Sequence, residues 1–326
     1  MPFDFNKCGR ACAWIVAALV LPAATAFAQV GEKPIRMILP LSTGSTVDAV
    51  ARTMSNALAK TTGHPVVVEN LPGAGGITGT QQIVRAPKDG FTMGMVSNNH
   101  VVNPSLYKNV PFDSIKDITP ITVIGTSPFV LVVHNAVPAR NLQELIALVK
   151  SKPGVLNYGS SGNGTVLHLA AELLKTESGI DMKHIPYKGT GPMISDLLGG
   201  QTQMAFTSAA VAAPHIKSGA IRPIGVTTRT RSVLLPDVPT FAEQGLKNYD
   251  FGGWIAVIAP AGLPAPVVAQ RYNEINAALA APEVREWLKA QDFTLVASAP
   301  AQTLPFFQSE LAKHTRLVKQ SGATVE

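Results

Sequence analysis

Three short stretches of the chain combine glycine with hydroxyl side chains in the manner an anion site needs. Residues 42–46 place Ser42, Thr43, Ser45 and Thr46 around Gly44, residues 73–76 read Gly73-Ala74-Gly75-Gly76, and residues 159–165 place Ser160, Ser161, Asn163 and Thr165 around three glycines. Glycine lets the backbone approach a guest closely and turn its amides toward it, and a helix that starts there adds about half a positive charge. The chemistry this favours is capture of a small anion by N–H and O–H donors. For any one loop the plain alternative is a tight strand-to-helix turn that binds nothing. Recurrence of the design in both halves of the chain argues against that alternative.

Other chemistries fail on spacing. Gly73, Gly75 and Gly79 miss the dinucleotide fingerprint by one residue, no acidic residue follows about 20 positions on, and no glycine loop ends in Gly-Lys-Ser/Thr. Gly159-Ser160-Ser161-Gly162-Asn163 lacks the closing glycine of a nucleophile elbow. The seven histidines, at 64, 100, 134, 168, 184, 215 and 314, show no metal-ligand spacing, so neither a metal nor a cofactor is expected. His168 and Glu172, one helical turn apart, read as a local ion pair or hydrogen bond, His184 as support for a loop, and Trp254 as packing at a hinge. Without a triad or paired carboxylates the chain is not expected to be an enzyme.

The elements that must position these loops alternate between strand and helix. Residues 34–41, 65–70 and 91–96 read as strands, with helices at 47–58, stopped by Gly63, and at 76–85. The middle of the chain repeats the pattern, with strands at 129–133, 156–158, 182–186, 204–207 and 221–226 and helices at 141–150, 165–175 and 193–198, then a short helix ending near Gly219. A strand at 254–259 and helices at 266–279, 283–290 and 303–319 follow. This order predicts an α/β protein of two lobes, each a mostly parallel sheet flanked by helices, with the ligand cleft at the carboxyl ends of the strands. The expected lobes are 29–125 with 251–326, and 126–250.

Of the 326 residues, 46% are hydrophobic and 15% charged, an ordinary globular balance. The first 28 read as a secretory signal: Lys7 and Arg10, an apolar run at 13–24, then Ala26-Phe27-Ala28. Both cysteines, Cys8 and Cys12, lie in that segment, which leaves no disulfide or thiolate chemistry after cleavage. No later stretch reaches the roughly 18–20 apolar residues of a membrane span. The net charge is a mild +6, and basic residues are scattered without interleaved aromatics, so no nucleic-acid partner is expected. A soluble, exported monomer is the expectation.

Nine segments in order over nearly all of the mature chain resemble the Bug family, the exported solute-binding proteins of tripartite tricarboxylate transporters. They are KPIRMILPLSTGSTVDAVAR (33–52), VVVENLPGAGGITG (66–79), APKDGFTMG (86–94), NPSLY (103–107), KPGVLNYGSSGNGTVLHLAAELL (152–174), HIPYKGTGPMISDLLGG (184–200), PHIKSGAIRPIGVTTRTR (214–231), LPDVPTFAEQG (235–245) and WIAVIAPAGLP (254–264). The resemblance implies a two-lobed periplasmic-binding-protein fold that closes over one small organic carboxylate and presents it to the membrane subunits of such a transporter. It also implies that Leu41, Thr43, Ser45, Thr46 and Asp48, together with Ala74, Gly75 and Gly76, grip a carboxylate through amides, hydroxyls and ordered water. Ser160, Ser161, Asn163, Thr165, Thr207 and Ser208 are the implied contribution of the second lobe. The chain departs from the family where Thr43-Gly44-Ser45 replaces Ala-Gly-Gly and where Thr207-Ser208 replaces a frequent aspartate. Loss of that acid counts against an amino-acid ligand and favours a dicarboxylate or aromatic acid. A periplasmic carboxylate sensor and an exported α/β hydrolase are the alternative readings.

Overall fold

The computed structural model describes residues 33–323. The export segment, its two cysteines and the expected cleavage before Gln29 lie outside the described residues.

Strand β1 (Ile35–Leu39) buries Ile35, Met37, Ile38 and Leu39, while Arg36 turns outward and pairs with Glu69 at 2.8 Å. Helix α1 (Thr46–Thr62) begins where the Ser45 side chain accepts from the Asp48 N–H, and it ends at Gly63 (φ 72°), whose N–H donates to Ala59 O. Its inner face buries Val47, Val50, Ala51, Met54, Ala57 and Leu58, the helical spacing read in the sequence. Truncating Leu58 to alanine would cost about 2–5 kcal/mol through lost transfer energy and the cavity left behind. Strand β2 (Val66–Asn70) pairs parallel with one edge of β1. A 3-10 turn at Ala74–Gly76 and helix α2 (Ile77–Val84) lead to strand β3 (Thr92–Ser97), parallel on the other edge.

Helix α3 (Asn99–Leu106) then appears where no helix was expected. Pro104 lies inside it and supplies no N–H for the carbonyl of His100, four residues back; the Ser114 Oγ–H donates to that carbonyl instead, at 2.8 Å.

Strand β4 (Ile118–His134) is 17 residues long. Beyond it come α4 (Leu142–Ser151), β5 (Asn157–Ser160), α5 (Val166–Ser178), β6 (Lys183–Pro186), α6 (Thr190–Leu198), β7 (Met204–Ser208), α7 (Ala209–Lys217) and β8 (Ile221–Val226). Strand β9 (Gly252–Pro260) is followed by α8 (Ala265–Leu279), α9 (Pro282–Ala290), β10 (Thr294–Leu295) and α10 (Pro300–Ser321).

The strands follow the order β2-β1-β3-β9-β4-β7-β5-β6, with β8 and β10 also paired to β4. The outer strands of each half are parallel, as expected, but the sheets are mixed rather than mostly parallel: β9 is antiparallel to β3 and β4, and β4 to β7 and β8. The cause is the route of the chain. Strand β4 pairs with β9 through Pro128 and with β7 from Phe129 onward, so it passes from one half of the sheet to the other, and β9 returns. A strand that crosses over and one that comes back must run in opposite directions. One apolar core gathers around Leu131, Tyr158, Phe206 and Phe241, and another around Met37, Met54, Val257 and Ile275.

Candidate ligand-binding cleft

A cavity of about 510 Å³ lies where strand ends from both halves meet. Leu41, Ser45 and Thr46 line it from the β1–α1 turn, Ser97, Asn98 and Asn99 from the β3–α3 junction, and Ser161, Thr165 and Val166 from the β5–α5 turn. Thr190 enters from the start of α6, and Thr207 and Ser208 from the β7–α7 junction. The crossing strands supply Ser127 and Phe129 from β4 and Gly253 and Trp254 from β9. Among the described residues that line it, none is Asp, Glu, Lys, Arg or His.

Five helices begin at this cavity: α1, α3, α5, α6 and α7. The first-turn N–H groups of a helix have no partner within it, and each N-terminus carries about half a positive charge. Ser45 caps α1 and Ser208 caps α7, but no side chain caps α3, α5 or α6. The cleft is therefore electropositive through its backbone. It can hold an anion by N–H and O–H donors without a salt bridge.

The loops that carry these donors are fixed from behind. Asp48 is buried; its Oδ2 accepts from the Gly44 N–H at 3.0 Å and its Oδ1 from Arg52 Nε at 2.9 Å. Arg52 Nη2 donates to Asn70 Oδ1, and Asn70 Nδ2 donates to Leu41 O, which closes a ring of bonds around the β1–α1 turn. The Arg52 guanidinium holds the Asp48 carboxyl below the usual carboxylate range. In the other half the Gly164 N–H donates to His168 Nδ1 at 3.0 Å, and Ser160 Oγ is 2.7 Å from His184 Nε2. The two imidazoles stack at 3.9 Å, 7° from parallel, with Tyr158 against His184. Burial pushes both down to about 4, so both are neutral at physiological pH.

The Tripartite tricarboxylate transporter family receptor matches this chain over residues 50–323. The chain belongs to that family. Among solved structures, the periplasmic binding protein BugD is 31% identical, covering 89% of this chain and 98% of that one, with a TM-score of 0.75. A protein of Rhodopseudomonas palustris solved with adipate is 28% identical (90% and 98% covered, TM-score 0.77). MatC of the same organism, solved with bound malate, is also 28% identical (87% and 98% covered, TM-score 0.74).

In this receptor Leu41, Ser45, Thr46, Ser161, Thr165, Thr207 and Ser208, each singled out from the sequence, line the cavity. Gly75 and Gly76 line a small hollow beside it, with Leu41, Ser97 and Asn99 shared between the two. Asp48 and Ser160 are buried behind their loops, and Thr43, Ala74 and Asn163 are exposed outside both spaces. Sequence reasoning missed the β3–α3 junction, Thr190 and the crossing strands. Asn98 carries the greatest consequence: its Oδ1 accepts from the Trp254 N–H at 3.0 Å and its Nδ2 donates to Gly252 O at 3.2 Å. The run Ser97-Asn98-Asn99 after a buried strand was a usable helix-start signal. Trp254, read as hinge packing, does pack against Phe306 and Phe307 and donates from Nε1 to Glu310 Oε2 at 2.8 Å, and it lines the cavity as well.

Proposed function

We propose that this periplasmic receptor captures one small organic acid in the cavity and hands it to the membrane subunits of a tripartite tricarboxylate transporter. The observation that carries this reading is the convergence of five helix N-termini on a cavity whose lining, among the described residues, holds no charged side chain. A carboxylate is the guest such a surface stabilises, and the relatives solved with adipate and malate support that class. Within the described residues, the stretches before 126 and after 250 form one lobe and 126–250 the other, hinged where β4 crosses beside β9, in a monomer. Closure brings the amides and hydroxyls of both lobes onto the acid and excludes water, which strengthens each contact. Micromolar affinity needs about 8 kcal/mol, within reach of several charge-assisted hydrogen bonds.

The far end of the ligand is a second carboxylate or an uncharged group, aromatic rings included. An ammonium there would find no Asp or Glu among the described lining residues and would bear its desolvation cost unpaired. Thermal-shift screening of the mature protein against dicarboxylates, aromatic acids, hydroxy acids and amino acids, followed by calorimetry, tests this. Dicarboxylic or aromatic acids should stabilise it most. Tightest binding by a zwitterionic amino acid would overturn the assignment.

A further inference from the structure

A hollow of about 10 Å³ lies beside the cleft, and Leu41, Ser97 and Asn99 line both. That volume accommodates one oxygen-sized atom. His100, on the first turn of α3, lines the hollow and is 4% exposed. Its imidazole is fixed with unusual completeness. Nε2 is 2.8 Å from the carbonyl of Ser114, which only accepts, so Nε2 carries the proton. The Ser114 hydroxyl in turn donates to the His100 carbonyl left open by Pro104, so one residue holds both the ring and its backbone. Phe112 stacks on the ring at 6.2 Å, and Phe307 meets it edge-on at 5.7 Å.

With Nε2–H committed, Nδ1 is a lone-pair acceptor, and no group among the described residues donates to it. Burial pushes the imidazole down to about 4, so it stays neutral at physiological pH. A buried acceptor without a donor carries a desolvation cost, which an O–H in the hollow would remove. An ionised carboxylate oxygen has no hydrogen to give and would meet the lone pair repulsively. Thr80 and Asn103 also border the hollow, and the rest of its wall is largely apolar, so the open Nδ1 lone pair has few polar neighbours.

We propose that His100 is a specificity-determining residue of the cleft, whose Nδ1 takes a hydrogen bond from one neutral oxygen donor held in the hollow, either a hydroxyl of the ligand or a water that the ligand retains. The proposal rests on the receptor reading above and adds a requirement to it. The cleft accepts charge through its helix N-termini and, in the adjoining hollow, demands a donor.

The test uses two probe acids that differ by one hydroxyl, succinate and malate, titrated by calorimetry into wild type, His100→Phe and His100→Asn. If a ligand hydroxyl fills the hollow, wild type prefers malate about tenfold and His100→Phe loses that preference. If a water fills it, wild type binds the two acids alike, and His100→Phe weakens both by about tenfold. In either case His100→Asn, which restores an acceptor near the same place, recovers affinity to within about threefold of wild type. Unchanged affinities in a folded His100→Phe protein overturn the proposal. Should that variant not fold, the ¹⁵N resonances of His100 in the wild-type protein decide the matter. A hydrogen-bonded Nδ1 is expected; a free, unprotonated Nδ1, both without acid and with succinate or malate added to saturation, overturns it. Whether wild type binds either acid at all tests the receptor reading separately.

Discussion

At the scale of single residues, Thr207 and Asp48 show that hydroxyls and acids near an anion site have different work to do. Thr207 is fully buried at the end of β7, lines the cavity, and its Oγ1 has no partner among the described residues. A hydroxyl there can donate to an anion or accept from a neutral polar group. Thr207→Asp would put a carboxylate in the same place and set like charges together. Affinity for a dicarboxylate should fall by about 2 kcal/mol, some thirtyfold, while any weak binding of an amino acid improves. Calorimetry on both proteins reads this directly, and equal affinities would show that Thr207 only packs the strand end. Asp48 is acidic and close to the same electropositive surface, yet Arg52 offsets its charge and the Gly44 N–H occupies it. Its task is to shape the turn. Asp48→Ala should therefore lower melting temperature and affinity together, since the β1–α1 loop loses the bond that fixes Gly44.

At the scale of elements, the loop before α5 depends on neutral imidazoles. His168 accepts from the Gly164 N–H only while Nδ1 is unprotonated, with Glu172 and Lys175 as its charged neighbours on the same helix. His100, His168 and His184 are each lowered to about 4, chiefly by burial, against about 6.5 in an unfolded chain. Between those values the unfolded state binds more protons than the folded one, so stability rises with pH through the window. The contribution is complete above about 6.5 and lost as pH falls toward about 4. The paired carboxylates Asp48 and Glu69, lowered by Arg52 and Arg36, act in a separate range: their contribution is present above the normal carboxylate pKa of about 4 and fades only below it. Melting temperature should thus begin to drop near pH 6, above the range in which Asp48 and Glu69 act, and a flat profile from pH 7 to pH 5 would contradict this account. Much of this level was legible in the sequence. Gly63 stopped α1 as read, and the strand read at 221–226 matched β8 (Ile221–Val226) end to end. Helix α3 was not, because Pro104 argues against a helix until Ser114, ten residues away, replaces the missing bond. The first half of β4 was hidden by Pro120, Pro128 and two register shifts against β9.

At the scale of the molecule, the cleft exists because β4 crosses from one half of the sheet to the other beside the start of β9, and local periodicity carries no record of that. Glycine-rich turns announced several donors, but Asn98, Thr190 and Trp254 became lining residues only once β3, α6 and β9 had been brought to one place. The crossing is also where the proposed hinge lies. Opposite each other stand Thr126 and Trp254, Ser127 and Gly253, Pro128 and Gly252. A Cβ at Gly252 would come within 3.0 Å of Ser127 O, and one at Gly253 within 3.0 Å of Ser127 Oγ and 3.3 Å of the Phe129 ring. The strands therefore pack closely there, beside the cavity wall, while Asn98 ties both ends of the Gly252–Trp254 segment to α3. A bulky side chain at Gly253 would wedge Ser127 and Phe129 apart and intrude on the ligand at the point about which the lobes turn. Small-angle scattering of the wild-type receptor should show a smaller radius of gyration at saturation with its best acid than without it. Gly253→Val should bind that acid much more weakly and fail to compact at wild-type saturating concentrations, with a smaller loss in melting temperature. A wild-type radius that stays constant at saturation would sink the hinge, and a Gly253→Val protein that binds and compacts normally would move it away from these strands. Both measurements address the same physical point: a backbone-lined anion site gains strength when water is excluded, so a receptor built this way must close to hold its ligand and reopen to give it up.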